Sequence, residues 1–339
     1  MNTILDVKDL HVSFKTYGGE VQAVRGVSFT VKKGETVAIV GESGCGKSVT
    51  AQSIMKLIPN PPGKITSGSI LFKGRDLTKI SEKEMRKIRG SDISMIFQDP
   101  MTSLNPTLTI GDQITEAILQ HEPVVTKKEA QFRACEMLGE VGIANPKERL
   151  KQFPHQFSGG MRQRIMIAMA LVCNPSILIA DEPTTALDVT IQAQIIDLFK
   201  KIQRNTGVAI IMITHDLGVV AKLADRINVM YAGKVVESGT TSEIFYNPQH
   251  PYTKGLLNCV PRLDLERGQP LIPIPGSPPD LFAPPIGCAY SSRCEFAMEV
   301  CDAYQPGRTL VAEGHEVNCW LQDQRAKQVK FHLREKTYS

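Results

Sequence analysis

Gly41-Glu42-Ser43-Gly44-Cys45-Gly46-Lys47-Ser48 sits between an apolar run, Thr36-Val37-Ala38-Ile39-Val40, and a segment of helical character, residues 49–58, which Pro59 stops. Strand, glycine-rich loop and helix in that order are the setting that a phosphate-binding loop requires. The glycines let the backbone curl until its N–H groups converge on phosphate oxygens. The helix start adds unpaired N–H groups and the positive end of its dipole. Lys47 can bridge the terminal phosphates, and the Ser48 hydroxyl can ligate Mg²⁺. A glycine-rich turn that matched by accident would not need the Lys-Ser pair or both flanks. The stretch predicts a nucleoside-triphosphate site, with Gly41, Glu42, Ser43, Gly44, Cys45, Gly46, Lys47, Ser48 and Val49 around the phosphates.

The rest of the chain sets bounds on that reading. With 339 residues there is room for two domains, or for one large domain with an appendage. The composition, 42% hydrophobic and 22% charged, is that of an ordinary globular protein. A formal charge of +4 is too small for the basic stripe that nucleic acid calls for, so no nucleic-acid partner is expected. No apolar run approaches the roughly 20 residues of a membrane helix. Asp6 stands where a signal peptide would be apolar, so a cytoplasmic protein is expected, reaching a membrane only through a partner.

In chain order, residues 4–7, 10–14 and 26–31 read as short strands around the turn Gly18-Gly19. Tyr17, upstream of the loop, is placed either to stack on an adenine or simply to stand exposed. Residues 70–76 read as a hairpin edge, and residues 93–97 as a strand that delivers Gln98. A helical region follows, in which Thr126-Lys127-Lys128-Glu129 fits a capping box. Phe132, Cys135, Leu138 and Val141 recur there at helical spacing, which predicts a buried face. Phe157-Ser158-Gly159-Gly160-Met161 leads into an apolar helix and offers a second anion-binding helix start. Buried-strand runs 177–180 and 210–214 end in Asp181-Glu182 and His215-Asp216. Polar groups at the carboxyl ends of parallel strands around one crevice are what an open α/β sheet provides. A hairpin over 228–237 closes this region.

Past residue 246 the composition shifts, with prolines crowding from Pro248 to Pro285 and apolar periodicity lost. The expected organisation is therefore an ATP-binding domain over 1–245, with a helical subdomain at about 100–172, and a loop-rich region over 246–339. Residues 325–336 form a basic tail that reads as a solvated terminus. Of the eight cysteines, Cys288, Cys294, Cys301 and Cys319 crowd the last quarter of the chain, at gaps of five, six and seventeen residues. In a reducing compartment that crowding points to metal or redox chemistry. None of the gaps is the close pair of common zinc modules, nor the tight run of bacterial ferredoxins. Spacing alone says only that four thiolates could converge. Cys45, beside loop amides and Lys47, has the surroundings of a reactive thiolate.

Taken in order, these pieces resemble the ATP-binding subunits of ABC transporters over residues 4–245. The phosphate loop matches Walker A, Gln98 the Q-loop, and residues 177–182 the Walker B strand with its acidic pair. Residues 157–161 look like the family signature, Ala186-Leu187-Asp188 like the D-loop, and His215 like the switch histidine. Phe153-Pro154-His155-Gln156, His250-Pro251-Tyr252-Thr253 and residues 273–279 are similar to the dipeptide and oligopeptide permease branch. Phe157 stands in for the usual signature leucine and Met161 for the usual glutamine, as in that branch. The fold implied is an α/β ABC cassette: a RecA-like P-loop core, an antiparallel β subdomain, a helical signature subdomain and a small C-terminal domain.

The resemblance implies roles. Glu182, His215, Lys47 and Gln98 would be catalytic, and Ser48, Gln98 and Asp181 would hold Mg²⁺. Ser158, Gly159, Gly160 and Met161 would face ATP bound by a partner, with Asp188 at the junction. A chain with one Walker A then needs a second ATPase subunit, a distinct one being expected over an identical one. Two integral membrane permeases and, indirectly, a solute-binding protein complete the expected assembly, on the cytoplasmic face of the membrane. Peptide is the expected cargo, with nickel or another small solute as the alternative; a soluble ABC ATPase without a membrane partner is a further one. Members with this cysteine pattern carry a [4Fe–4S] cluster, so the resemblance implies one at Cys288, Cys294, Cys301 and Cys319, with zinc as the alternative.

Overall fold

The computed structural model describes residues 2–98, 103–185, 187–260 and 273–326. Two sheets organise them. The first is antiparallel, in the order β2-β1-β4-β5: β1 (Thr3–Thr16), β2 (Gly19–Lys32), β4 (Gly63–Phe72) and β5 (Arg75–Asp76). Residues 4–7 and 10–14 thus belong to one long strand, which stays continuous through register shifts between Val7 and His11.

The second sheet has eight strands in the order β11-β12-β10-β9-β3-β8-β7-β6, in which β10 is Lys234–Thr240, β11 Thr309–Ala312 and β12 His315–Val317. Its parallel part comprises β3 (Thr36–Val40), β6 (Ile93–Ile96), β7 (Ile177–Asp181), β8 (Ala209–Thr214) and β9 (Arg226–Tyr231). Every residue of β3, β7 and β8 is buried, as continuous apolar runs covered on both faces should be. Burying each Val, Ile or Leu there contributes roughly 1.5–3 kcal/mol.

Register brings the strand ends level. Val40 pairs with Thr214, Asp181 with Ile213, and Ile96 with Ala180. The segments that follow β3, β6, β7 and β8 therefore leave the sheet at one edge, and those segments carry the phosphate loop, Gln98, Glu182 and His215.

Helices Ile110–His121, Lys127–Glu140 and Gly159–Leu171 form a helical arm whose buried side chains join one core with one face of the sheet. Two expectations change here. Phe132 is 62% exposed, and the buried face of its helix is Ala130, Ala134 and Leu138. Cys135 is only half-buried. Leu138 and Val141 are buried as expected; the expected set steps by three and drifts round the 3.6-residue turn, whereas Ala130, Ala134 and Leu138 step by four. Thr126 caps this helix by accepting the Glu129 N–H at 3.3 Å, and no return bond from Glu129 completes a box.

Beyond residue 245 the chain forms helix Pro251–Asn258 and returns to the large sheet. β12 (His315–Val317) pairs antiparallel with β10 (Lys234–Thr240), and β11 (Thr309–Ala312) pairs with β12. Glu237 anchors this junction. Its buried carboxylate accepts from His315 Nε2 at 2.8 Å and from the backbone N–H groups of Gln249 and His250 at 2.7 and 2.9 Å. The prolines of residues 261–272 and the tail from residue 327 lie outside the described residues.

Candidate functional site

The phosphate loop connects β3 to helix Lys47–Ile54, and two of its glycines are demanded by space. Gly41 has φ 152°, and a Cβ there would stand 2.2 Å from the Met230 carbonyl oxygen. Gly46, the left-handed residue that caps the helix, would bring a Cβ to 2.4 Å from the Ala23 carbonyl oxygen. Lys47 is 5% exposed. Its ammonium donates to the Gly41 and Glu42 carbonyls at 2.8 and 2.9 Å.

Ser48 Oγ donates to Asp181 Oδ1 at 3.0 Å, which joins the first helical turn to the tip of β7. Burial pushes the Asp181 carboxyl above the usual range, and neighbouring Glu182 adds to this; the Ser48 hydroxyl and the Lys47 charge offset only part. An aspartate so poorly compensated, beside a hydroxyl, suits a hard divalent cation such as Mg²⁺.

Glu182 occupies a left-handed conformation, φ 47°, and its N–H donates to the Ile213 carbonyl at 2.8 Å. That backbone bond to β8 fixes where the carboxylate points. Three side chains meet it: Gln98 Nε2 at 3.0 Å, Thr185 Oγ1 at 3.0 Å and His215 Nδ1 at 3.1 Å. Burial alone would raise its pKa, but the His215 and Thr185 hydrogen bonds and the His215 and Lys47 charges carry it below the usual range. Glu182 is thus an ionised acceptor held from three strand ends. Gln98 reaches this group by donating to Glu182. Thr185 escaped the sequence reading, since a threonine three residues beyond an acidic pair carries no signal of its own.

Ser158 caps helix Gly159–Leu171 by accepting the Met161 N–H at 3.4 Å. Gly160 lies against Ile191, whose Cγ2 a Cβ there would approach to 2.8 Å. Asp188 caps the neighbouring helix, Val189–Thr206, by accepting the Ile191 N–H at 2.9 Å. Ala186, between Glu182 and Asp188, lies outside the described residues. Tyr17 stands fully exposed at the turn between β1 and β2.

One cysteine expectation is corrected. Cys45 is 5% exposed, and burial raises its thiol pKa despite Lys47 Nζ at 3.9 Å. It is a buried packing thiol, because desolvation outweighs the local positive charge. Among the described residues, no three His, Cys, Asp or Glu side chains are grouped to hold a metal ion. The four C-terminal cysteines therefore do not form a ligand set as they stand. They are nevertheless neighbours. The Cys288 N–H donates to the Cys301 carbonyl at 2.6 Å. Burial raises the Cys294 thiol to about 12 and the Cys319 thiol to about 11, with the Cys288 and Cys301 thiols adding to both shifts.

The site also contains two residues to which the sequence reading gave no role in it. Tyr252 is fully buried and its hydroxyl accepts the Glu42 N–H at 2.9 Å. Arg293 holds the Glu42 carboxylate in a two-pronged ion pair, at 2.6 and 2.9 Å.

Comparison with known proteins agrees with this geometry. Residues 24–185 match the ABC transporter family, and residues 236–301 match the C-terminal region of oligopeptide/dipeptide transporters. The chain is similar to the dipeptide transport ATP-binding protein DppD of Bacillus subtilis, at 67% identity over 96% of this chain and 97% of that one. It is 60% identical to the oligopeptide transport ATP-binding protein OppD of the same organism, over 94% of this chain and 88% of that one. Among solved structures, a dimeric post-hydrolysis state of the ATP-binding cassette MJ0796, bound to ADP and Pi, superposes with a TM-score of 0.63. That cassette is 30% identical and matches 70% of this chain and 98% of its own. Identity at this level and over this length, on a complete phosphate-loop site, places the chain in the ABC transporter family, among the ATP-hydrolysing subunits of the dipeptide and oligopeptide branch.

Proposed function

We propose that this chain powers import of dipeptides or oligopeptides by hydrolysing ATP at a site it shares with a second ATPase subunit. The observation that carries the chemistry is Glu182, ionised and held at once by Gln98, Thr185 and His215, just past β7, which β8 separates from the strand that leads into the phosphate loop. In this reading Lys47 and the amides of residues 41–49 neutralise phosphate charge. Ser48 and Asp181, with Gln98, would hold Mg²⁺, which supplies further charge neutralisation when bound. Glu182 orients and polarises the attacking water, and His215 fixes Glu182 and contacts the γ-phosphate. Positioning and charge stabilisation suffice for phosphoryl transfer, so no covalent intermediate is needed.

Ser158, Gly159, Gly160 and Met161 would face the partner's nucleotide, with Asp188 at the seam, and Tyr17 would meet the adenine. A dimeric cassette among the structural neighbours supports this arrangement. A related but distinct partner ATPase, two membrane permeases and a solute-binding protein complete the proposed machine. No helix among the described residues is long and apolar enough to cross a membrane, which fits a subunit docked on permeases at the cytoplasmic face. Residues 1–245 would be the ATP-binding domain and residues 246–339 the branch-specific region.

Uptake of labelled dipeptide and tripeptide in a deletion strain tests the cargo: uptake should fall and return with the gene. Unchanged peptide uptake with lost nickel uptake would overturn that assignment. Resemblance and the proximity of Cys288, Cys294, Cys301 and Cys319 support a metal there, [4Fe–4S] before zinc. Anaerobic protein without iron or zinc would end that extension.

A further inference from the structure

The phosphate loop is gripped from outside the cassette core. Arg293 lies in a short turn, Ser291–Arg293, between Cys288 and Cys294, and its side chain is 3% exposed. All of its guanidinium nitrogens have acceptors. Nε donates to the Pro275 carbonyl at 2.8 Å. Nη1 donates to Glu42 Oε2 at 2.6 Å and to the Tyr231 hydroxyl at 3.3 Å. Nη2 donates to Glu42 Oε1 at 2.9 Å and to the Ile274 carbonyl at 3.4 Å. A planar fork fastened on every edge has one orientation, and it presents two parallel N–H groups to one carboxylate.

Glu42 is thereby fixed at three points. Its carboxylate is held by Arg293, its N–H by the Tyr252 hydroxyl, and its carbonyl by the Lys47 ammonium. Two of these three partners come from beyond residue 245, and the third is the lysine that must reach phosphate. The same region also braces the other end of the site. The Gln22 N–H donates to the Leu281 carbonyl at 3.0 Å, and Phe282 packs over the turn at Gly18 and Gly19, beside Tyr17.

We propose that Arg293 is a positioning residue of the ATP site: through Glu42 it sets the shape of the phosphate loop and the place of Lys47, so that the C-terminal region tunes affinity for the β- and γ-phosphates of a nucleoside triphosphate. Removing either partner leaves a poorly hydrated charge in contact with the loop, and the loop then relaxes away from the geometry that receives phosphate. The proposal depends on ATP binding at this loop and not on what is transported.

A double-mutant cycle on the purified full-length chain tests it, with Mg·ATP and Mg·ADP as the probes. Arg293→Gln and Glu42→Gln should each weaken Mg·ATP binding by about tenfold, the scale of one charge-assisted hydrogen-bonded contact. The double variant should bind no more weakly than either single one, because each change breaks the same link. Arg293→Lys, which keeps the charge and loses the fork, should fall between wild type and Arg293→Gln; it takes the place of Arg293→Gln in the cycle if that variant does not fold. A merely structural arginine would weaken binding equally with or without Glu42, and that additivity would overturn the proposal, as would full affinity in a folded Arg293→Gln chain. Failure of the wild-type chain to bind Mg·ATP would instead strike the reading of the site itself.

Discussion

β3, β7 and β8 are buried at every residue, whereas β11 has no buried residue and β12 alternates buried with half-buried ones. The first region is an apolar sheet that would keep its shape whatever polar groups hung from its edge. The second adds a few polar anchors to a smaller apolar cluster around Tyr231, Tyr252 and Tyr290: Glu237 with His315, Arg293 with Glu42, and Tyr252 with the Glu42 N–H. Hydrophobic burial spreads stability over many residues, so the catalytic edge is robust as a scaffold and sensitive only in its chemistry. A polar anchor concentrates stability in single contacts, where one substitution leaves several buried groups unpaired. The two regions should therefore fail in different ways.

The largest effect should come from the robust region, as lost chemistry without lost structure. Glu182→Gln should lower hydrolysis at this site by about 10²-fold or more, since an oriented carboxylate is replaced by an amide. Mg·ATP binding and thermal midpoint should stay near wild type, because Lys47 and the loop amides are untouched. Brisk turnover would remove Glu182 from its role. Next, Glu237→Ala should cost about 3–5 kcal/mol of stability in denaturant unfolding, because it strands His315 and two backbone N–H groups without water. A loss under about 1 kcal/mol would mean that the junction relaxes or hydrates easily, and the contrast between regions would weaken.

The third prediction concerns pH. Burial holds the His250 imidazole neutral, its pKa lowered from 6.5 to about 3. Its Nδ1 accepts the Tyr252 N–H at 3.0 Å, which requires the neutral ring. The unfolded chain takes up a proton near pH 6.5 and the folded chain does not, so stability present above that pH falls as the solution is acidified. The loss attributable to His250 should be about 2 kcal/mol between pH 6.5 and 5. His250→Asn, which keeps a helix-capping side chain, should flatten that part of the pH profile; an unchanged slope would show that the histidine is not the source. Smallest is the effect at Cys45. Alkylating reagents should label this buried thiol slowly, at similar rates with and without Mg·ATP. Fast labelling abolished by nucleotide would show an open, ionised cysteine there.

What could be read from the chain divides along the same line. The apolar runs of β3, β7 and β8, and the polar residues at their ends, are local patterns, so the sheet and most of its catalytic edge were legible. Burial within a loop was not. Lys47 and the amides beside Cys45 are visible in sequence, while the packing that desolvates its thiol is not. Phe132 misled for a related reason: it and Cys135 reach Leu138 by steps of three, while the buried Ala130 and Ala134 reach it by steps of four. Arg293 and Glu42 are 251 positions apart, and nothing in either neighbourhood points to the other. The return of the chain to the sheet as β11 and β12 was hidden because strands of four and three residues leave no periodic signal.

The central claim is that hydrolysis occurs at a site completed by the signature helix of a second subunit, and the ATPase rate of the purified chain against its own concentration, alone and with the co-expressed partner ATPase, tests it most directly. Slow turnover by the isolated chain, rising steeply when the partner is supplied, is the expected result. Full, concentration-independent activity from a demonstrated monomer would contradict it.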